Sequence, residues 1–214
     1  MSESKALYQS RENAGAALAR LVYQRASRPF LVWGVAASGV EVGAAAAKAM
    51  QASFDVVVGS NIRMDENQVV GAMAEDCDAL LDPDFAPQFS EVENVESAID
   101  RSRRAIKQER MLFRGHRPLR PVAGAHVVIV DGNLTSPWRV LAAASCAEKM
   151  GATSVMIAAA VSTQPVKDKL RARRMELICP AVTFEPAGHA RPFADHQDEN
   201  AERLRSIVVA RDAA

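Results

Sequence analysis

The sequence predicts an α/β fold, a mostly parallel twisted sheet with helices on both faces. Strand-type and helix-type apolar patterns alternate along the chain, and several strand-type runs, such as FLVWGV and VVIV, are apolar throughout. Strands buried on both faces are typical of parallel sheets whose crossover connections are helices. The length of 214 residues suits one domain. We expect residues 1–214 to form it, with a core over about 11–180 and a tail, 181–214, as a hood or appendage.

The first half of the chain is predicted to fold as helix, strand, helix, strand and hairpin. The opening helix is indicated by apolar residues at helical spacing, Ala14, Leu18, Leu21 and Val22. Short β-branched runs predict the two strands, and an alanine-rich stretch predicts the helix between them. In order, the segments are RENAGAALARLVYQRA, FLVWGVA, SGVEVGAAAAKAMQ, FDVVVGS, and the hairpin pair QVVGAMAE and CDALLD.

The second half opens with a long helix, from about Glu91 to Phe113, whose apolar residues recur at seven-residue spacing. This stripe either packs on the sheet or pairs with a second subunit. Strands and helices then alternate as strand 127–130, helix 137–150, strand 154–160, helix 165–174 and strand 175–179. The tail after Pro180 is predicted to become helical from about Glu199.

Charge and composition narrow the classes of partner. Lys and Arg total 26, as do Asp and Glu, so no net charge favours nucleic acid or a membrane surface. With no signal segment and no membrane-length apolar run, we expect a cytoplasmic protein with no membrane partner. The three cysteines show no metal spacing and are expected to be free thiols: Cys77, Cys146 and Cys179.

A basic run lies between Arg101 and Arg120 and has two interpretations. One is a nucleic-acid surface, and the other is a solvated helix face. Aromatic residues do not interleave with the basic ones beyond Phe113, which favours the solvated face. Nucleic acid is therefore not an expected partner.

The stretch VVIVDGNLTSPWRV, Val127–Val140, predicts a ligand site. A strand that ends in an acid, followed by a polar turn and a helix start, is a common place to hold a phosphate. The candidate ligand residues here are Asp131, Gly132, Asn133, Leu134, Thr135, Ser136 and Arg139. Two other turns should reach the same edge of the sheet, GVAASGVEV with Ser38 and Gly39, and GSNIRMDENQ with Arg63.

Structural interpretations stand beside the functional ones. Asp131 fits a turn or helix N-terminal acid as well as a ribose ligand. Pro137 fits the first position of a helix with Ser136 as its N-cap. Trp138 fits a lid over an emptied site or an interface anchor.

The order of elements and several strings resemble the type I phosphoribosyltransferase family, in its small stand-alone bacterial branch. The strings are RENAGAALARL, WGVAASGVEVGAAAAKAM, VVGAMAE, RMLFRGHRPLRPVAGAHVVIVDG and GATSVMIAAAVSTQPVKDKLR. They span most of the chain from about Arg11 to Cys179. The resemblance implies that family's fold, a site for phosphoribosyl pyrophosphate (PRPP), Mg²⁺ as cofactor if that site is functional, and a homodimer.

The resemblance also implies that the phosphate loop has degenerated. Family members place two adjacent acids after the strand, and here Asp131 matches the first while Gly132 occupies the second. Pro137 stands at a glycine position and has no N–H to donate. Trp138 stands at an alanine position, where it would crowd the phosphate, and Arg139 stands at a threonine position.

The other two loops depart from the family in the same direction. The family's Pro-Arg-Gly-Gly string reads AASG here, residues 36–39, so Ala37 replaces the arginine that would neutralise pyrophosphate. Ser60-Asn61 aligns with a family Arg-Lys pair, and Arg63 nearby is a substitute cation. An acid at 132, a glycine at 137 and an arginine at 37 are expected to restore PRPP binding.

We therefore expect a phosphoribosyltransferase-fold protein that has lost catalysis and acts as a ligand-sensing or protein-interaction module. The alternative is an active transferase, or a related nucleotide enzyme, with a rearranged PRPP site. In that case Asp131 would be the catalytic residue, with Ser136, Arg139 and Arg63 around it. The expected ligands are PRPP, a nucleotide or phosphate, and no metal site is expected among the protein's own residues.

Overall fold

The structure, a computed structural model, describes residues 6–25, 30–66, 68–85, 92–184, 192–194 and 200–212. The strands are β1 Phe30–Val35, β2 Ser53–Val57, β3 Gly59–Arg63, β4 Val69–Ala74, β5 Leu80–Leu81, β6 His126–Leu134, β7 Ser154–Thr163, β8 Leu177–Ile178 and β9 Ala181–Thr183. The helices are α1 Arg11–Tyr23, α2 Gly39–Met50, α3 Val92–Arg114, α4 Trp138–Lys149, α5 Gln164–Ala172 and α6 Ala201–Asp212.

A six-stranded parallel sheet forms the centre of the molecule. Its strand order is β2-β1-β6-β7-β8, with β9 also pairing with β7, and all of its pairs are parallel. Alternate residues of β6 enter two core clusters: Val128 packs with α1, α2 and α6, whereas Ile129 packs with α4 and α5. The α/β prediction is therefore confirmed.

A second sheet holds β3, β4 and β5 in antiparallel order. The predicted hairpin is confirmed as β4–β5. The segment 59–63 was expected to be a turn, and that expectation is wrong, because β3 pairs with β4 from Gly59 to Arg63. Ile62 of β3 is fully buried with Val70 and Ala98, so this sheet packs under α3.

Strand β6 is longer than the sequence indicated. It was expected to end at Asp131, but it continues to Leu134 because β7 also continues, to Thr163. Asn133 pairs with Val161 and Leu134 with Ser162 across the extension. The predicted strand–acid–turn motif is therefore a strand that runs through its acid.

The apolar stripe of α3 is used inside the chain. Val95, Ile106 and Phe113 are 3–6% exposed. Ile106 and Phe113 share a core cluster with Leu204 and Val208 of α6. Of the two predicted uses of the stripe, the structure therefore has the intramolecular one.

The last residues of the basic run are tied to buried carboxylates of the fold. Arg114 is fully buried and forms an ion pair with buried Glu75. Arg117 donates to Asp55, with 2.6 Å between Nη2 and Oδ1, and the carboxylate of Asp55 is also buried. Arg114 and Arg117 therefore fasten the end of α3 to the sheets. The earlier basic residues of the run are exposed, as the interpretation as a solvated face expects, namely Arg101, Arg103, Arg104 and Lys107.

Two of the three cysteines form a disulfide, so the prediction of three free thiols is wrong. Cys77 follows β4 and Cys146 lies on α4, 69 residues later, with Cα atoms 5.8 Å apart. Cys179 is free. Because the bond joins distant segments, sequence spacing carried no sign of it. Within the described ranges, no helix is both long and apolar enough to cross a bilayer.

Candidate functional site

The candidate site lies at the edge of the large sheet where parallel strands end. β1 and β6 are neighbours, with Gly34 opposite Val130, so the loop after β1 meets the last residues of β6. The first turn of α4 follows β6 at the same place. Asp131 and Arg139, which the sequence placed in one stretch, are brought together there with Ser38 of the loop after β1.

Asp131 has partners on both of its carboxylate oxygens. Its Oδ1 accepts a hydrogen bond from the Ser38 hydroxyl at 2.7 Å and from the Asn133 N–H at 2.9 Å. Its Oδ2 lies 3.8 Å from Nη2 of Arg139. Since the residue is only 1% exposed, these contacts replace water around the charge.

Arg139 contacts both the loop after β1 and strand β6. Its Nη1 donates to the carbonyl oxygen of Ala36 at 2.7 Å, while Nη2 faces Asp131. The Cβ atom of Arg139 would lie 3.7 Å from a Cβ at Gly59, the first residue of β3. An arginine of the site thus neutralises the acid of the site.

Gly132 allows the loop after β1 to lie directly on β6. A Cβ atom at Gly132 would be 2.3 Å from the carbonyl oxygen of Ser38, and one at Gly39 would be 2.0 Å from that of Val130. Both distances are too short for a real side chain. The two glycines are therefore required by the close approach of two backbones.

The rest of the predicted phosphate loop is divided between surface and core. Thr135 is exposed and Ser136 is half-buried, whereas Leu134 is 1% exposed and belongs to the core. The helix begins at Trp138 with Pro137 in the capping position and no side-chain cap. Ser136 was expected to be the N-cap, and the structure puts Pro137 there instead.

Trp138 points away from the site. It is 4% exposed and packs in the core cluster that contains Val166 and Leu170 of α5. The guanidinium of Arg173 lies 4.6 Å from the centre of its ring. The two predicted roles, a lid and an interface anchor, are both wrong, and the side chain does not crowd the phosphate loop.

The predicted cationic turn is not part of this cluster. Arg63 is exposed at the end of β3 and donates to the carbonyl oxygen of Glu66 at 3.1 Å. Ser60 and Asn61 lie within β3, where the Asn61 carbonyl accepts from Ser102 of α3 at 3.1 Å. In the described ranges, no contact joins Arg63 to Asp131 or Arg139.

Glu109 was missed by the sequence analysis. It lies on α3, and burial raises the pKa of its carboxyl, although the positive charge of Arg139 opposes the rise. Glu109 is thus a half-buried acid of α3 whose pKa is raised by burial and lowered in part by the charge of Arg139. Its position in a charged helical stretch gave no signal, since only packing brings α3 to this edge.

Three surface cavities of about 330, 570 and 450 Å³ lie in the described part, and neither Asp131 nor Arg139 lines any of them. No group of three or more His, Cys, Asp or Glu side chains in that part is arranged to hold a metal ion. The site is an internally hydrogen-bonded cluster around a buried acid.

Comparison with known proteins places this cluster in context. Two curated proteins from Mycobacterium tuberculosis, of strains CDC 1551 / Oshkosh and H37Rv, are described as putative phosphoribosyl transferases and are 27% identical to the chain over 199 residues. The match covers 90% of this chain and 45% of each relative, so the chain spans about half the length of the curated relatives it matches. No family model matches.

Solved structures share this fold. The protein TT1426 from Thermus thermophilus has a TM-score of 0.81 at 24% identity, over 95% of this chain and 98% of that one. A hypoxanthine phosphoribosyltransferase from Staphylococcus aureus has a TM-score of 0.50 at 10% identity, over 86% and 78% of the two chains. The fold is that of a type I phosphoribosyltransferase.

The departures that the resemblance to phosphoribosyltransferases implies have a structural account in this fold. Where the resemblance implies a second acid, this chain has Gly132, and the loop after β1 leaves no space there for a side chain. Where the resemblance implies a threonine in the loop, this chain has Arg139, whose charge faces Asp131. The substitutions are mutually consistent, because each contributes to one network that joins the loop after β1, the end of β6 and α4.

Proposed function

We propose that this phosphoribosyltransferase-fold protein has lost catalysis and acts as a ligand-sensing or protein-interaction module. The observation that carries the proposal is the network around Asp131. An acid that binds ribose needs free carboxylate oxygens. The carboxylate of Asp131 is instead buried, accepts hydrogen bonds from Ser38 and Asn133, and lies beside Arg139. PRPP would have to break those bonds before it could form its own.

The loop after β1 supports the same proposal. Because it lies on Gly132, a second acid has no space there unless the backbone moves. Ala37 supplies no cation for a pyrophosphate, and transfer of phosphoryl-type groups depends on cations that face the developing charge. Both features support the proposed loss of turnover.

The ligand best suited to the remaining groups is an anion that carries a phosphate. The hydroxyls of Thr135 and Ser136 precede the N-terminus of α4, where helix N–H groups favour negative charge. Pro137 removes one donor, so binding there should be weaker than in an intact phosphate loop. A phosphate or a nucleotide is therefore the proposed sensed ligand, in a cytoplasmic protein that folds as one domain.

A homodimer is the proposed assembly, although the α3 stripe no longer supports it. Its remaining support is the family resemblance, together with Met111 and Leu112, which are 41% and 40% exposed near the end of α3. Light scattering at micromolar concentration tests the dimer. A monomer mass removes this part of the proposal.

An active enzyme with a rearranged site is the second candidate. One observation favours it: Arg139 is partly exposed, so its side chain can leave Asp131 without disturbing the core. The freed carboxylate would then be able to bind a ribose hydroxyl. Mg²⁺ would accompany PRPP in that case.

Thermal-shift measurements with PRPP, nucleoside monophosphates and phosphate, each with and without Mg²⁺, separate the two candidates. Saturation at a hundred times the dissociation constant stabilises a protein by about 2.7 kcal/mol, which melting curves resolve. We expect phosphate or nucleoside monophosphates to raise the melting temperature equally with and without Mg²⁺. Tight Mg²⁺-dependent PRPP binding that Asp131→Asn abolishes would instead establish the active-enzyme candidate.

A further inference from the structure

The turn after β4 presents a cysteine to α4. The N–H of Cys77 donates to the carbonyl of Ala74 at 3.3 Å, and Asp76 between them has a φ of 56°. Aspartate tolerates this left-handed conformation better than most residues. The turn thereby places the sulfur of Cys77 against Cys146, to which it is bonded.

The two sulfurs of this disulfide have unequal access. Cys77 is partly exposed and lines the cavity of about 330 Å³ between the turn and α3. Cys146 is 1% exposed, and its Sγ lies 3.7 Å from the Glu75 carbonyl oxygen and 3.9 Å from Sδ of Met150. A reagent that enters from solvent therefore reaches Cys77 and not Cys146.

The charges that line the cavity leave one cation uncompensated. Each lining carboxylate has a basic partner, in the pairs Glu75–Arg114, Asp76–Arg110 and Asp78–Lys149. The lining residue Arg103 pairs with Asp100. Lys107 also lines the cavity and has no carboxylate partner among the residues that the structure describes. The cavity should therefore attract an anionic reagent over a neutral one.

We propose that the Cys77–Cys146 disulfide is a thiol–disulfide exchange site, attacked at Cys77 by small thiols that carry a carboxylate. The attacking thiolate forms a bond to Sγ of Cys77, the Cys77–Cys146 bond breaks, and its electron pair leaves on Sγ of Cys146, which takes up a proton. A second thiolate then attacks the mixed disulfide and releases the Cys77 thiolate. The protein gains two electrons, and two thiols become one small-molecule disulfide.

Mapping of the mixed disulfide tests the direction of attack. Wild-type protein purified without reductant is treated briefly with glutathione, quenched with acid and digested, and the modified peptide is identified by mass spectrometry. Glutathione is expected on Cys77 alone. In Cys146→Ser, oxidised glutathione should modify Cys77, whereas in Cys77→Ser it should leave Cys146 unmodified. Modification at Cys146, or three alkylated cysteines in denatured unreduced protein, would overturn the proposal.

Reduction rates test the class of thiol. Mercaptoacetate and the neutral 2-mercaptoethanol are compared, each rate being scaled to that thiol's rate with a small disulfide. Lys107→Gln should slow only mercaptoacetate, by roughly three- to fivefold at low ionic strength, and 1 M salt should remove the difference. Arg205→Gln, an exposed cation on α6, makes the same change in net charge elsewhere and should slow neither. Equal effects of the two substitutions would refute the role of the cavity.

Discussion

The hydroxyl of Ser38 donates a 2.7 Å hydrogen bond to Oδ1 of Asp131 and so joins the loop after β1 to strand β6. Ser38 occupies the cap position of α2, yet its side chain makes no capping bond. The hydroxyl is therefore committed to the acid. The hydrogen bond therefore has a structural role at the candidate site, and its contribution to the free energy of unfolding can be measured.

Ser38→Ala should lower the free energy of unfolding by about 1–3 kcal/mol, because it removes a partner from a buried carboxylate. Ser60→Ala is the matched control, since its hydroxyl has a hydrogen bond of 3.5 Å at the limit of such contacts. Urea denaturation compares the two. An effect no larger than that of the control would show that the bond does not hold the loop.

Gly132→Ala should destabilise the protein by at least about 1–3 kcal/mol, the usual cost of overpacking, because its Cβ would be 2.3 Å from a backbone oxygen. Gly59→Ala is the control, with a nearest heavy atom 3.5 Å away. For the same reason Gly132→Asp should not create a ribose site. Contrary to the sequence-based expectation, we therefore expect that an acid at 132 does not help to restore PRPP binding. Titration of the Gly132→Asp variant with PRPP checks this.

Arg114→Met should cost about 3–5 kcal/mol of stability, since it leaves the buried carboxylate of Glu75 without its cation. Arg103→Met breaks an ion pair whose side chains are 64% and 57% exposed, and it should cost less than about 1 kcal/mol. Chemical denaturation of both variants measures the difference. Similar small losses would mean that the buried pair is not a fastening of α3.

Glu109→Gln should raise the melting temperature at pH 7–8, and the gain should vanish near pH 4. Burial raises the pKa of this carboxyl in the folded state. The folded protein thus binds a proton that the unfolded chain has lost, and stability falls as pH rises from the unfolded pKa, about 4.3, to the folded value. Glu96→Gln, exposed on the same helix, controls for the loss of charge. A gain of equal size at both pH values would contradict the shift.

Periodicity and local residue types determined the helices, the parallel strands and the departures from the family's loops. These are short-range properties, since alternating apolar runs specify which segments are buried and a missing acid is visible as Gly132. The resemblance to type I phosphoribosyltransferases also depended on strings within single elements. The α/β fold predicted from the apolar patterns and the fold implied by the resemblance were both confirmed.

Tertiary structure alone decided how those residues are used. Whether Asp131 is free depends on Ser38 and Arg139, which approach it only when β1, β6 and α4 assemble. Trp138 faces the core because α5 packs beside α4, and the disulfide of Cys77 exists because a turn meets that helix 69 residues away. Contacts between distant segments depend on packing that no local pattern encodes, so the sequence indicated Asp131, Ser38 and Arg139, whereas only the fold determined their partners.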